Sequence, residues 1–359
     1  MNFEVFVNRV KDEIKDHLPE TFQDAEFALI QHVKLNNSYA ALTIVNQTVA
    51  PIVNLEDYYW DYEHGRGFAN IMGAIAESIE MEKPEIDLAS MVDFEKAKEL
   101  LFIRVSSAEK NENYLKRVPH TIVEDIAITY HLQMNVDETG VASAVIANDT
   151  LRMYGVSVEE LHKAAVENSE KLFPMYTFNL HERMRQNYIN DMKNEGLSDE
   201  EIEMMLEEFP ETDDHAMTVV TNDVGVNGAA VIFYPGVMDK LAEITDGDFF
   251  VLPSSVHETI IIADRGDFSP EFLKEMVSEI NATQVEPWDR LTDEVYHYDP
   301  IDRVFEKASS FEERIAQKAE AERNAKKQSI MDKLGEKKDA AKAMIGEKKT
   351  PLRTAEVSL

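Results

Sequence analysis

Residues 126–149 read IAITYHLQMNVDETGVASAVIAND, and this stretch decides the fold class. Its two halves are rich in β-branched and apolar residues, and the turn-forming segment VDETG separates them. This composition predicts two antiparallel strands joined as a hairpin. The segment VEELHKAAVENSEKLF, at 158–173, reads as a helix, so we predict a hairpin with a helix behind it.

The same pattern occurs nearer the N-terminus. The β-rich runs EFALIQHVKL (26–35) and YAALTIVNQT (39–48) are separated by an Asn-Asn-Ser segment, which has the composition of a hairpin connection. Residues 54–80 follow, and they read as two helices interrupted by glycines near Gly65. We therefore predict a second hairpin backed by helices.

A third unit of this kind is predicted from residue 217 onward. MTVVTND (217–223) and AAVIFY (229–234) flank Asn227-Gly228, and Asn-Gly favours hairpin turns because both residues tolerate positive φ. GVMDKLAEI (236–244) supplies the helix. Repeated hairpin-plus-helix units predict an α+β fold in which helices cover antiparallel sheets.

Three regions are expected along the chain. The spacing of apolar residues in FEVFVNRVKDEI predicts an N-terminal helix at the start of an α+β region, residues 1–120. A second α+β region, residues 121–302, contains a helical insertion at about 178–212, in which Ser198 and Glu201 have capping-box spacing. From residue 303 to 359 the chain is rich in Ala, Lys and Glu, which predicts a charged helical tail.

Composition limits the chemistry. The 359 residues contain no cysteine, which excludes disulfides, thiolate metal ligands and a cysteine nucleophile. The net charge is −33, and it is uneven: residues 303–359 carry 14 basic and 10 acidic residues, so the body before them carries −37. Such a body repels nucleic acid, leaving weak contact through the tail. With no signal peptide or transmembrane stretch, we expect a cytoplasmic protein.

The segment VLPSSVHETIII, residues 251–262, contains the candidate catalytic residues Ser254, Ser255, His257 and Glu258. A serine hydrolase needs a base beside its nucleophile and a third group that orients the base. No G-x-S-x-G elbow is present, and Pro253 interrupts the apolar run. We therefore favour a structural role, in which the hydroxyl groups bond the backbone between two strands.

A second polar stretch, DEVYHYDP, offers candidate metal ligands. Alternation along a strand places Asp293, His297 and Asp299 on one face, where oxygen and imidazole ligands suit a divalent ion. An exposed polar strand face is the favoured interpretation. No phosphate-binding glycine motif occurs in the chain, so no cofactor is predicted.

Several segments together resemble a known family. NLEDYYWDYEHGRGF, the second hairpin with its helix, and NGAAVIFYPGVMDKLAEITDGDFFVLPSSVHETIII are similar to the bacterial domain of unknown function numbered 5688, found in gut Gram-positive genomes and often near mobile elements. The resemblance covers residues 1–300 and implies no activity. A fainter similarity in pattern links the chain to the uncharacterised YtpQ-like proteins.

These observations favour a non-enzymatic protein-interaction module whose partner the sequence does not identify. The alternatives are a hydrolase-like enzyme that uses residues 254–258, and a tail that binds an anionic surface. An enzyme should gather residues 254–258 and distant polar groups into one concave pocket, whereas a binding protein should leave them dispersed.

Overall fold

The computed structural model describes residues 1–45, 50–81, 91–137, 140–206, 217–253 and 255–346. Within these ranges the chain forms antiparallel sheets with helices packed against them, which confirms the predicted α+β class. The described helices, labelled α1–α12, are Phe3–Glu13, Leu55–Glu63, Phe68–Glu80, Phe94–Ala97, Glu112–Leu115, Asn148–Tyr154, Val158–Leu172, Leu180–Asn194, Asp199–Leu206, Val237–Thr245, Pro270–Thr283 and Ala308–Gly346.

The strands build three sheets. Strands β1–β13 are Phe27–Lys34, Asn37–Ile44, Ile52–Asn54, Leu101–Ser107, His120–Val123, Ile126–Asp137, Gly140–Val145, Met175–Asn179, Met217–Asn222, Phe249–Leu252, Thr259–Ala263, Tyr296–Asp299 and Val304–Lys307. The first sheet has the order β1-β2-β3. The second contains β4-β6-β5 with β7 paired to β6, and the third has the order β13-β12-β10-β11-β9-β8. Every strand pair with a described register is antiparallel.

The N-terminal helix and the first hairpin are confirmed. Asn2 caps α1 by accepting a hydrogen bond from the Val5 amide, and the helix buries the apolar stripe that contains Phe6. Strands β1 and β2 pair from Phe27 to Ile44 around a two-residue turn. With α2 and α3 they enclose one hydrophobic core, which also takes the buried face of α1.

The second unit is confirmed and extended. Strands β6 and β7 form the predicted hairpin, and α7 follows with a complete capping box between Ser157 and Glu160. Strand β6 also pairs with β4 over seven residues, Leu101↔Leu132 to Ser107↔Ile126. One sheet therefore contains strands from both sides of residue 120.

The third predicted hairpin is wrong. Residues Gly228–Phe233 form a 3-10 helix, and β9 pairs instead with β8 and β11. Both edges of β9 are thereby occupied, so the chain after the Asn-Gly turn has no edge on which to pair. Asn227 does have the positive φ expected of it, 56°, but it begins a helical turn rather than a hairpin.

The remaining helices agree with the sequence pattern. Helices α8 and α9 occupy the predicted insertion, and the Ser198 and Glu201 side chains make both capping-box hydrogen bonds. The chain divides into a compact unit, Met1–Phe305, and a second unit that begins at Glu306. The second unit contains the predicted C-terminal helix, α12. No described helix is long and apolar enough to cross a membrane.

Candidate functional site

A pocket of about 540 Å³ lies in the compact unit. Residues 32–37, at the tip of the β1–β2 hairpin, form one side of the pocket, and strands β4, β6 and β7 form another. The connection between β10 and β11 and the segment Trp288–Asp289 complete the lining. Residues far apart in sequence thus meet in one concavity of the size that small-molecule ligands occupy.

The hairpin tip is fixed by side-chain amides. Asn36 has a φ of 58°, and its backbone N–H donates to Asn111 Oδ1 at 2.6 Å. Asn111 Nδ2 returns a hydrogen bond to Asn36 Oδ1 at 2.6 Å and also donates to the Ser107 carbonyl at 2.8 Å. Asn36 Nδ2 donates to the Trp288 carbonyl at 3.0 Å. These bonds hold three segments of the pocket wall in place.

Ser255 and its neighbours lie where β10 ends and β11 begins. The Ser255 hydroxyl accepts a hydrogen bond from the His257 backbone N–H at 3.0 Å, and the Ser255 N–H points to the Glu258 carbonyl at 3.4 Å. The Val256 N–H donates to the Asp289 carbonyl at 2.8 Å. The hydroxyl therefore closes a backbone turn. Ser254, the other candidate serine, lies outside the described residues.

Both ring nitrogens of His257 have partners. The backbone N–H of Asn227 donates to Nδ1 at 3.2 Å, so Nδ1 carries no proton. The proton is therefore on Nε2, which donates to Asp289 Oδ1 at 3.2 Å. The imidazole is oriented by a carboxylate in a lined pocket, but neither nitrogen faces the Ser255 hydroxyl.

A glycine allows these segments to approach so closely. A Cβ added at Gly228 would lie 2.6 Å from both the Asn222 backbone nitrogen and the His257 carbonyl oxygen. The same carbonyl accepts a hydrogen bond from the Thr221 hydroxyl at 2.8 Å. Glycine at position 228 is therefore a packing requirement of the His257 side of the pocket.

The opposite side of the pocket contains Arg104, on β4. Its Nε atom is buried, and none of the hydrogen bonds or ion pairs among the described side chains involves its guanidinium. The guanidinium carbon lies 5.4 Å from the centroid of the Phe102 ring. Burial lowers the pKa of Arg104, because the charged form loses contact with water.

Two further histidines line the pocket beside this arginine. His131 is buried on β6, and its Nε2 lies 3.1 Å from the Thr129 hydroxyl. Burial, with the Arg104 charge nearby, holds the pKa of His131 well below its ordinary value. Burial also lowers the pKa of His32, as do the nearby charges of Lys34 and Arg117. Both imidazoles are therefore neutral at neutral pH.

The three candidate metal ligands have separate roles. Asp293 Oδ1 accepts from Asn281 Nδ2 at 2.8 Å, and Asp299 Oδ1 accepts the backbone N–H groups of Ile301 and Asp302. His297 Nε2 lies 3.1 Å from Asp264 Oδ2, and this hydrogen bond lowers the pKa of Asp264. Among the described residues, no group of three or more histidine and carboxylate side chains suits a metal ion.

The favoured interpretation of this strand as an exposed polar face is wrong. All four residues of β12 are buried, and His297 is fully inaccessible to solvent. The strand pairs with β10 in the interior of the six-stranded sheet. The polar residues of this strand did not reveal its burial because their partners are distant in sequence: Tyr296 donates to Asp125, His297 lies beside Asp264, and Tyr298 donates to Asp239.

Comparison with protein families matches residues 3–300 to DUF5688, a family of unknown function. The chain belongs to the DUF5688 family. No curated protein and no solved structure matches it. The match confirms the family resemblance of the sequence and includes every described residue of the pocket. Because the family has no assigned activity, the roles of these residues in this DUF5688 protein are argued from geometry.

Sequence reasoning missed the most unusual residue of the DUF5688 pocket. Arg104 lies in the apolar run LFIRVSS, where a single cation resembles an ordinary solvent-facing residue of a strand. The β1–β2 hairpin and Tyr114, which both lie outside β4, line the same pocket as Arg104. A charged residue within a strand that is otherwise buried on both faces is the one available signal, and it is a weak one.

Proposed function

We propose that the DUF5688 region is a non-enzymatic binding module whose ligand, of small-molecule size, enters the pocket beneath the β1–β2 hairpin. The observation that carries this proposal is a pocket of about 540 Å³ lined by His257, in which both ring nitrogens of His257 are already engaged, while the hydroxyl of the adjacent Ser255 closes a backbone turn. A preformed concavity with a few polar groups is the usual form of a ligand site.

The alternative of a hydrolase is less well supported by the same geometry. A nucleophilic serine needs a base with a free lone pair directed at its hydroxyl. The lone pair of His257 Nδ1 receives the Asn227 amide, and Nε2 donates to Asp289. The Ser255 hydroxyl receives the His257 amide. Gathering His257 into a concave pocket agrees with the enzyme hypothesis, but the hydrogen-bond pattern favours binding.

We assign the binding function to the pocket and not to an exposed apolar surface. The large apolar side chains that are exposed, such as Trp60, Met153, Tyr176 and Phe272, belong to four different elements. Single exposed apolar side chains such as these are normal for a protein surface and by themselves indicate no interface. The pocket is the better candidate for specific recognition.

A pocket-filling variant tests the binding proposal. The probe is N-phenyl-1-naphthylamine, a neutral dye that fluoresces in apolar sites. Val145, on the rim of the pocket, is changed to Trp, and Ile122, an exposed residue of β5, is changed to Trp as the matched control. We expect Val145→Trp to weaken binding by at least about tenfold and Ile122→Trp to leave it unchanged. Equal binding by the two variants, or no binding by the unmodified chain, refutes the proposal.

Turnover of p-nitrophenyl acetate tests the hydrolase alternative. We expect the same rate for the unmodified chain, Ser255→Ala and His257→Ala, with Ser157→Ala as a control that also removes a hydroxyl bonded to a backbone amide. A rate above that of buffer that is lost in the first two variants and kept in the control would establish an enzyme.

A second candidate function concerns α12. Between Arg323 and Lys338 this helix carries six basic and two acidic residues, all exposed, and its apolar residues do not collect on one face. We infer that this segment makes weak, salt-sensitive contact with duplex DNA. In the full chain, Lys326→Glu with Lys327→Glu should abolish retention on a duplex-DNA column at low salt, whereas Lys163→Glu with Lys171→Glu should not. Unchanged retention, or retention on anionic vesicles instead, contradicts this inference.

A further inference from the structure

We propose that the ligand of the DUF5688 pocket is an aromatic molecule with a single oxyanion, and that Arg104 binds the oxyanion. This inference rests on the proposed binding function and specifies its ligand class. Three features carry it: the unpaired guanidinium, the apolar and aromatic lining around it, and the position of Asp289 in the same pocket.

Arg104 differs from other arginines of the chain. In a protein with 69 acidic and 36 basic residues, acidic partners are abundant. Other arginines do pair with carboxylates, at Arg9–Glu13, Arg66–Asp61, Arg152–Asp149, Arg303–Asp239 and Arg314–Glu306. Arg104 is half-buried with a buried Nε atom, yet no described carboxylate pairs with it. A buried cation is retained at a cost unless something compensates it.

The guanidinium is suited to an oxyanion. Its planar fork of N–H donors matches a carboxylate, sulfonate or phosphate oxygen pair. His131 and His32 line the same pocket in the neutral form, so they add hydrogen-bonding capacity without adding charge. The one other cation in the lining, among the residues that the structure describes, is Lys34, which is exposed at the hairpin tip.

The rest of the lining favours an aromatic body. Valines from several segments line the pocket, together with the rings of Tyr114 and Trp288. The Trp288 side chain is 52% exposed, so it leaves a large apolar face available for contact. Stacked or edge-on contacts with such rings stabilise a flat aromatic ligand beyond the area that they bury.

The charge balance of the pocket favours a single anionic group. Asp289 also lines it and is held in place by His257, so a polyanion would meet a carboxylate as well as Arg104. The strongly acidic body further disfavours ligands with several negative charges. One oxyanion on an apolar ring satisfies Arg104 without opposing Asp289.

Two matched dyes test the inference. 8-Anilinonaphthalene-1-sulfonate differs from N-phenyl-1-naphthylamine by its sulfonate group. At about 0.15 M salt, where surface charges are screened, we expect the sulfonate to bind the unmodified chain at least about tenfold more tightly than the neutral dye. Arg104→Met should remove this preference by weakening binding of the sulfonate dye relative to the neutral dye. Arg104→Lys should retain part of it.

The outcomes separate the two proposals. An unchanged sulfonate preference in Arg104→Met, with binding of both dyes blocked by Val145→Trp, overturns the inference and leaves the binding function standing. Displacement of the sulfonate dye by equimolar inorganic phosphate overturns the aromatic requirement. Binding of neither dye overturns both proposals. Should Arg104→Met fail to fold, Arg104→Gln provides the same comparison with a polar side chain.

Discussion

The two sides of the pocket differ in whether their polar groups have partners. On the His257 side, the hydroxyl of Ser255, both nitrogens of His257 and the carboxylate of Asp289 are all engaged. On the Arg104 side, a half-buried cation with a buried Nε atom has no described acceptor. The first side stabilises the fold, whereas the second contains the guanidinium to which our proposal assigns the oxyanion of the ligand.

The residues on the His257 side have reactive side chains with structural roles. Histidine, serine and aspartate close together resemble a catalytic site, yet their hydrogen bonds close a backbone turn and join His257 to the Asn227 backbone and to the Asp289 side chain. The comparison teaches that an unsatisfied group is a better indicator of a binding site than a reactive one, because a satisfied group must lose a partner before it can bind a ligand.

The largest effect is expected for Gly228→Ala, which adds a methyl group to the filled His257 side. The new Cβ has backbone atoms of Asn222 and His257 at 2.6 Å, and backbone cannot move aside as a flexible side chain can. We expect a loss of about 3 kcal/mol in the free energy of unfolding, measured by urea titration. Gly73→Ala, inside α3 with open space around it, should instead stabilise the protein by about 0.5–1 kcal/mol. A cost below about 1 kcal/mol at Gly228 would mean that this side is not closely packed.

The second prediction removes the hydrogen bonds that join the tip of the β1–β2 hairpin to the end of β4. Asn111→Ala leaves the Asn36 N–H, the Asn36 side-chain oxygen and the Ser107 carbonyl without their partner. We expect a loss of about 2 kcal/mol, because buried polar groups that lose their hydrogen bonds are costly. In a double-mutant cycle with Asn36→Ala, the two losses should not add, because both variants remove the same bonds. Additive losses would show that the pair does not act as a unit.

Much of the architecture could be predicted from local sequence. The first two hairpins, the N-terminal helix, the capped helices of the insertion and the C-terminal helix depend on periodicity and on turn or cap residues, which act over a few positions. The third predicted hairpin is wrong because Asn-Gly specifies a turn but not whether a free strand edge follows. The two edges of β9 are occupied by β8 and β11, which are distant from it in sequence.

The pocket depends on such distant contacts throughout. His257 attracted attention because serine and glutamate are its neighbours in sequence, but its actual partners are Asn227 and Asp289. Arg104 gave no motif at all, since the pocket that it lines is formed by β4, β6 and the β1–β2 hairpin, which are separate in sequence. A single sequence shows which side chains are present, but their desolvation and pairing are set by tertiary structure.

Acid titration tests the Arg104 side of the pocket through His131, which lies beside Arg104. Burial lowers its pKa well below 6.5 in the folded chain. Below about pH 6.5 the unfolded chain binds a proton that folded His131 does not, so stability falls on acidification by up to about 1.4 kcal/mol per pH unit. His131→Phe should reduce this slope between about pH 6.5 and pH 5, measured by urea unfolding, whereas His17→Phe, at an exposed position, should not. If His131→Phe leaves the slope unchanged, groups other than His131 cause the loss of stability in acid.

The smallest expected effect on stability gives the clearest distinction between the Arg104 side and the His257 side of the pocket. Removing a cation that pairs with a carboxylate lowers the free energy of unfolding. Removing a half-buried cation that has no partner does not lower it. Arg104→Met, in probe-free buffer, should leave the free energy of unfolding unchanged or raise it by about 1 kcal/mol, because the thioether side chain needs no hydration. Arg66→Met, which removes the surface pair with Asp61, should give a small loss. If Arg104→Met instead destabilises the protein by more than about 1 kcal/mol, the guanidinium stabilises the fold itself, and the two sides of the pocket do not differ in kind.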